Sequence, residues 1–189
     1  MNWEAVTAVS TAFTGLVIFF TVIFARHQLQ LTRQQLEQLR KASQLEGAVA
    51  VFADIDAPKV EEGRQFVLHE LRERMRDPKF RDELRLIALV DENVHKELIV
   101  LRAYERVGAY IDEGLIDAEV VYLGAVGRIM STWIALKEVV AIHRQLAPWA
   151  WMSYEHLANG AREWATARGG DPQSYDQLFG QVLGSNEKG

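Results

Sequence analysis

The run from Ala5 to Ala25, AVTAVSTAFTGLVIFFTVIFA, carries no charged residue and constrains the chain more than any other stretch. As a helix rising about 1.5 Å per residue it would extend roughly 31 Å, close to the ~30 Å hydrocarbon thickness of a bilayer. A cleaved signal peptide would need a basic n-region, whereas Asn2, Trp3 and Glu4 precede the run and supply no Lys or Arg. The expectation is an uncleaved single-pass anchor over residues 1–25, in contact with membrane lipid. Arg26, Arg33, Arg40 and Lys41 all follow the run and no basic residue precedes it. Positive charge stays on the cytoplasmic side, so the N-terminus is expected outside and the C-terminal domain in the cytoplasm.

The helical pattern continues without a breaker into a stalk, residues 26–53. One seven-residue register runs through anchor and stalk: Ala8, Gly15, Val22, Leu29 and Leu36 at one position, Thr11, Ile18 and Leu39 among those at the other. Small residues and hydroxyls let helices approach in lipid, and leucines drive association in water. The register therefore makes these eight residues candidates for self-association into a homo-oligomer. The alternative is a monomeric anchor whose leucines pack on the protein's own domain. Leu31 and Leu45 fall off the seam and are expected against the chain's later helices.

About 160 residues follow the span, enough for one domain with its own core. The net charge of −5 divides unevenly: −1 before the span, +2 over residues 26–46, and −6 over residues 47–189. An acidic domain lacks the basic footprint that nucleic acid requires. The absence of cysteine excludes disulfides, thiolate metal sites and a cysteine nucleophile.

Pro58, Pro78, Pro148 and Pro172 divide a pattern that is otherwise helical, so the fold class is all-α: a compact antiparallel helical domain over residues 54–170. Pro58 is placed to open a helix reaching Met75, with Val67, Leu68, Leu71 and Met75 on one face. Asp77-Pro78 restarts the chain, and Phe80, Leu84, Leu86 and Ile87 follow. A helix from Glu92 to Glu113 is expected to face Val94, Leu98, Leu101, Gly108 and Ile111 inward. Gly114 suits its C-terminus and Asp117 the next N-cap, with Leu115 and Ile116 filling the corner of a hairpin. The helix from Ala118 to Leu146 carries Ile129, Trp133, Leu136 and Val140 on one face, and Gly124 and Gly127 offer it a thin side. A last helix with Leu157, Ala161 and Trp164 closes at Gly169-Gly170. Residues 171–189 hold a short helix and a polar tail.

No motif for nucleotide, zincin or α/β-hydrolase chemistry is present. His69-Glu70 begins like a zinc motif, but Glu73 occupies the second histidine's place. Asp112, Glu113, Asp117 and Glu119 are explained by the helix end and start they flank. The basic stretch from Arg72 to Arg85 alternates with acids and reads as solvated pairs, with anionic lipid headgroups as its other use. Neither a catalytic residue nor a cofactor is expected. Arg102, Arg106, Trp149, Trp151 and Tyr154 are the candidates for ligand or partner contact, the aromatics reading otherwise as a core cap.

Tyr104-Glu105, Gly108, Gly114-Leu115-Ile116-Asp117, Trp133, Trp151, Tyr154-Glu155 and Leu157-Ala158 stand behind one N-terminal span and a stalk rich in Gln, Leu and Arg. In this the chain resembles a widespread bacterial family of short membrane-anchored proteins, classified only as a domain of unknown function. The resemblance covers most of the chain. It implies an inner-membrane, all-helical protein and brings no activity or catalytic residue. The functional expectation is a non-enzymatic helical module that meets a cytoplasmic protein partner. The alternatives are a membrane-tethered sensor or enzyme with its site near residues 102–117 and 149–154, and a subunit of a larger membrane complex or defence module.

Overall fold

Every element in the computed structural model is helical, and no strand occurs among the described residues. Those are residues 3–86, 91–171 and 177, with the side chains of 4–18, 40, 41, 43 and 86 outside the description. Ile87 and the expected short helix near 175–182 fall outside it, apart from Gln177. The chain divides into two units, Met1–Leu45 and Glu46–Gly189.

One unbroken helix, α1 (Trp3–Ile55), runs through the expected anchor and stalk and continues to residue 55. Its uninterrupted course follows from a sequence without Pro and with Gly only at Gly15 and Gly47. In the first unit Phe19, Phe20, Val22, Ile23, Phe24, Leu29, Leu36 and Leu39 are all exposed. Leu31 and Leu45, expected against the chain's later helices, are exposed too. Among the described residues no helix is long and apolar enough to cross a membrane. Residues 4–18, which include two thirds of the expected span, have no described side chains, and Ala8, Thr11, Gly15 and Ile18 lie among them.

In the second unit the last turns of α1 deliver Ala48, Val51 and Ile55 to the core. The short apolar run at 48–52 is thus helical. Pro58 opens α2 (Pro58–His69), as its fixed φ and missing N–H suit a first helical position. That helix stops before Met75: Glu70 turns to φ −116° and a separate turn, α3 (Leu71–Arg74), follows. The break keeps Val67, Leu71 and Met75 all buried. Asp77 caps α4 (Pro78–Glu83), accepting from the Lys79 amide at 2.9 Å, and a 3-10 turn over Leu84–Leu86 buries Leu84.

The next helix starts later than the apolar spacing predicts. Asp91 folds residues 91–95 into a turn of their own, its carboxylate accepting from the Asn93 amide at 2.9 Å. Val94 is left exposed there, and α5 spans Glu97–Asp112. Its end is a Schellman turn: the Leu115 amide reaches the Tyr110 carbonyl, the Gly114 amide that of Ile111, and Gly114 takes φ +67°. Ile116 fills the corner while Leu115 points outward. Asp117 caps α6 (Ala118–Arg144) through the Glu119 amide.

α6 buries Ile129, Trp133, Leu136 and Val140 on the face predicted. Gly124 supplies the thin side, since a Cβ there would lie 2.6 Å from the Phe52 ring; Gly127 faces open space. The last helix, α7 (Met152–Ala167), ends in a second Schellman turn at Gly169, φ +86°. α5 packs chiefly on α7 and only lightly on its sequence neighbour α6, so the pair is less a hairpin than two sides of a layer around α7. Gly108 permits this: a Cβ there would stand 2.1 Å from the Ser153 carbonyl oxygen.

Candidate functional site

Where α5 crosses the start of α7, the core is aromatic. Tyr104 and Tyr154 stack with ring centroids 5.0 Å apart, and Trp133 meets Tyr154 edge-on at 4.9 Å. The Tyr154 hydroxyl lies 2.7 Å from Thr132 Oγ1. Burial pushes the Tyr104 phenol up to about 12, and it raises Tyr154 too, with Tyr104 adding to the effect.

The start of α7 is held from outside. Trp151, at its N-cap, sits at φ 60°, a left-handed conformation costly for a bulky residue, and offers no side-chain cap. Glu105 on α5 does the capping instead, its two carboxylate oxygens accepting from the Ser153 and Tyr154 amides at 3.3 and 2.8 Å. Trp151 Nε1 donates to His143 Nδ1 at 2.7 Å, which ties the strained residue to α6. His143 is fully buried, and burial lowers its pKa to about 4, with His95 a minor contributor and the Leu84 backbone opposing.

A second polar group is buried at the start of α5. His95 Nδ1 is 2.7 Å from Glu97 Oε1, and Nε2 is 3.2 Å from Glu83 Oε2. The Phe80 ring stacks on the imidazole at 4.3 Å. Glu97 has no exposed surface, its Oε2 lacks a hydrogen-bond partner among the described residues, and burial raises its pKa. Among the described residues no group of three or more His, Cys, Asp and Glu could hold a metal ion.

The residues expected at a ligand or partner site are not brought together. Arg102 is exposed and paired with Glu92, and Arg106 is exposed and bonded to Asp54 at 2.9 Å. Arg128 pairs with Asp56. Trp149 is 72% exposed, Trp151 is half-buried and Tyr154 is at the centre of the core. The acidic residues of the α5–α6 turn are likewise dispersed: Asp112 meets His156, Asp117 caps α6, and Glu119 pairs with Arg168. In the basic stretch, Arg76 pairs with Glu73, Arg85 with Asp82 and Arg81 with Glu138.

Sequence spacing did not reveal the open cleft between α6 and α7, about 340 Å³ in volume. Lys137, Arg144, Arg162, Glu155 and Asn159 line it over Met130, Trp133, Val140, Ala141 and Ala158. Arg144 is fixed at its edge, Nε donating to the Ala150 carbonyl at 3.0 Å and Nη2 to Glu155 at 2.8 Å. Every cation here is an ordinary helix-surface residue by spacing, so only the packing of α7 on α6 could disclose the grouping. His95 and Glu97 stand two residues apart in the sequence, a spacing that marks neither of them as buried.

Fold and site together define an all-helical domain with a buried carboxylate–imidazole group and a basic cleft, without a recognisable catalytic constellation among the described residues. The chain belongs to the family described as Domain of unknown function (DUF4760), whose model matches residues 8–164. No curated protein and no solved structure matches it.

Proposed function

We propose that the protein is a single-pass membrane protein of the bacterial inner membrane that presents its helical domain to the cytoplasm as an interaction or regulatory module. The N-terminus is outside, and association runs through anchor and stalk. What carries the reading is Phe19, Phe20, Val22, Ile23 and Phe24, five large apolar side chains within six residues of α1, each 49–62% exposed. Such a patch on a soluble chain would be a strong aggregation liability, whereas in lipid it costs nothing. The uncharged run that contains it, Ala5–Ala25, and the one-sided Arg and Lys that follow supply the span and its direction.

Membrane fractionation with a carbonate wash tests the anchor: the chain is expected in the washed pellet, and recovery in the aqueous fraction would overturn it. Protease added to inside-out vesicles is expected to digest the C-terminal domain, and protection there would reverse the topology. A second reading, a subunit of a larger assembly, has support from Leu146, Trp149 and Met152, which are 50–72% exposed around the α6–α7 turn. A stoichiometric partner lost on Trp149→Ser would favour it.

A further inference from the structure

The corner between α6 and α7 is held by a bond that only one protonation state of His143 can make. Trp151 Nε1 donates to His143 Nδ1 at 2.7 Å. An indole N–H can only donate, so Nδ1 must accept, and the imidazole is neutral with its proton on Nε2. On gaining a second proton Nδ1 becomes a donor itself, and two N–H groups then face each other. His143 is fully buried, so the charged ring would meet that donor without solvent to soften it.

The residue that would move is already strained. Trp151, at φ 60°, is the one residue other than glycine with a positive φ among the described residues, a conformation costly for a bulky side chain. The first turn of α7 does not hang on it, since Glu105 holds the Ser153 and Tyr154 amides from α5. Residues 145–152 carry no charge, and Leu146, Trp149 and Met152 among them are exposed.

We propose that protonation of His143 unlatches Trp151 and opens the 145–152 corner while the helices stay folded, adding a fourth large apolar side chain to the three already at its surface. Burial holds the closed imidazole at about 4, and on release it returns towards the ordinary 6.5. Acid therefore favours the open corner, and the open-to-closed ratio rises by up to about tenfold per pH unit between those values, roughly 300-fold in all. Of the groups that face the ring, the Leu84 backbone on the 3-10 turn favours the charged form and His95, in the turn before α5, opposes it. His95 is itself held by Glu97 and Glu83. On the α7 side Glu155 is tied to Arg144, and on the α4 side Arg81 and Arg85 are paired with Glu138 and Asp82. The latch lies wholly in the second unit and does not depend on the membrane reading.

The test is fluorine NMR of the full chain labelled with fluorotryptophan, in neutral-detergent micelles or in buffer if the chain fractionates there. Its five reporters are Trp3, Trp133, Trp149, Trp151 and Trp164, and the Trp151 resonance is identified by its loss in Trp151→Phe. Between pH 6.5 and 4 that resonance is expected to move and to gain a heavy-water isotope shift as large as that of exposed Trp149, while Trp133 and Trp164 keep theirs. The His143 ring protons are expected to titrate at the same midpoint. His143→Gln, whose amide oxygen still accepts from the indole but takes no proton, is expected to hold Trp151 closed throughout. Where that variant does not fold, the shared midpoint of Trp151 and His143 carries the decision. A Trp151 resonance that stays shielded down to pH 4, moves only together with Trp133 and Trp164, moves equally in His143→Gln or follows a midpoint other than that of His143 would overturn the proposal.

Discussion

A carboxylate without solvent has to be compensated by what it touches, and Glu97 Oε1 is held by His95 at 2.7 Å while Oε2 has no hydrogen-bond partner among the described residues. Removing it strands a buried imidazole nitrogen as well as leaving a void. Glu97→Ala is therefore expected to cost about 3–5 kcal/mol in urea denaturation, and Glu97→Gln, which can still accept, about 1–2 kcal/mol. Equal losses would mean that packing, not the hydrogen bond, holds the site. His143 makes a prediction of a different kind. Its folded pKa, about 4, lies below the ordinary 6.5, so between those values the unfolded chain binds more protons. Stability from this residue is complete above pH 6.5 and is lost as pH falls towards 4, by about 3 kcal/mol at most. Glu97, with its pKa raised, works in the opposite sense, losing stability as pH rises through its folded value. His143→Gln is expected to flatten the dependence of the urea midpoint between pH 6.5 and 4, whatever it does to the midpoint itself. An unchanged slope would remove His143 as its source.

Helices here are positioned by a few residues at which two elements meet. Glu105 caps α7 from α5, so Glu105→Ala is expected to lose about 1–2 kcal/mol, with much of that restored in Glu105→Gln. The glycines separate more sharply. Gly108→Ala would drive a Cβ to 2.1 Å from the Ser153 backbone and is expected to destabilise by several kcal/mol, whereas Gly127→Ala meets open space and is expected to stabilise by up to about 1 kcal/mol. Denaturant melts that rank the two alike would contradict the close crossing of α5 and α7. This contrast marks what sequence can and cannot disclose. Helix ends were legible because Pro58, Asp77, Gly114 and Asp117 act on their own neighbours, within a turn. The face of α6 was legible because burial repeats at helical spacing. The partner of α5 was not, since Gly108 and Glu105 read the same whichever helix lies opposite. Nor was the start of α5, where Val94 fits the apolar spacing but Asp91 diverts the backbone first. The cleft required both helices in place, because Lys137, Arg144 and Arg162 come together only when α7 returns along α6.

At the scale of the whole molecule, the proposed membrane tether in α1 raises the question of whether the same helix is also an association surface. Leu29, Leu36 and Leu39 are 58–66% exposed, as a helix would leave them if a second copy were to cover them. Exposure alone does not separate that arrangement from a lone stalk, but period does. In a parallel pair built on the register, positions 29, 32, 36 and 39 face the partner, and positions 30, 34 and 38 face away. The chain has no cysteine, so each position can be replaced singly without a competing thiol. A disulfide needs Cα atoms about 4.4–6.8 Å apart, which only facing positions of a close pair provide. Under copper-phenanthroline oxidation in native membranes, Leu29→Cys, Thr32→Cys, Leu36→Cys and Leu39→Cys are expected to give dimer, and Gln30→Cys, Gln34→Cys and Gln38→Cys to stay monomeric. Extending the scan to Thr11→Cys and Gly15→Cys asks whether the seam runs on through the apolar stretch. Cross-linking at the stalk positions alone would confine association to the aqueous part of the helix. A profile that is flat, or monomer at every position, would leave residues 5–25 with the proposed anchoring as their only role.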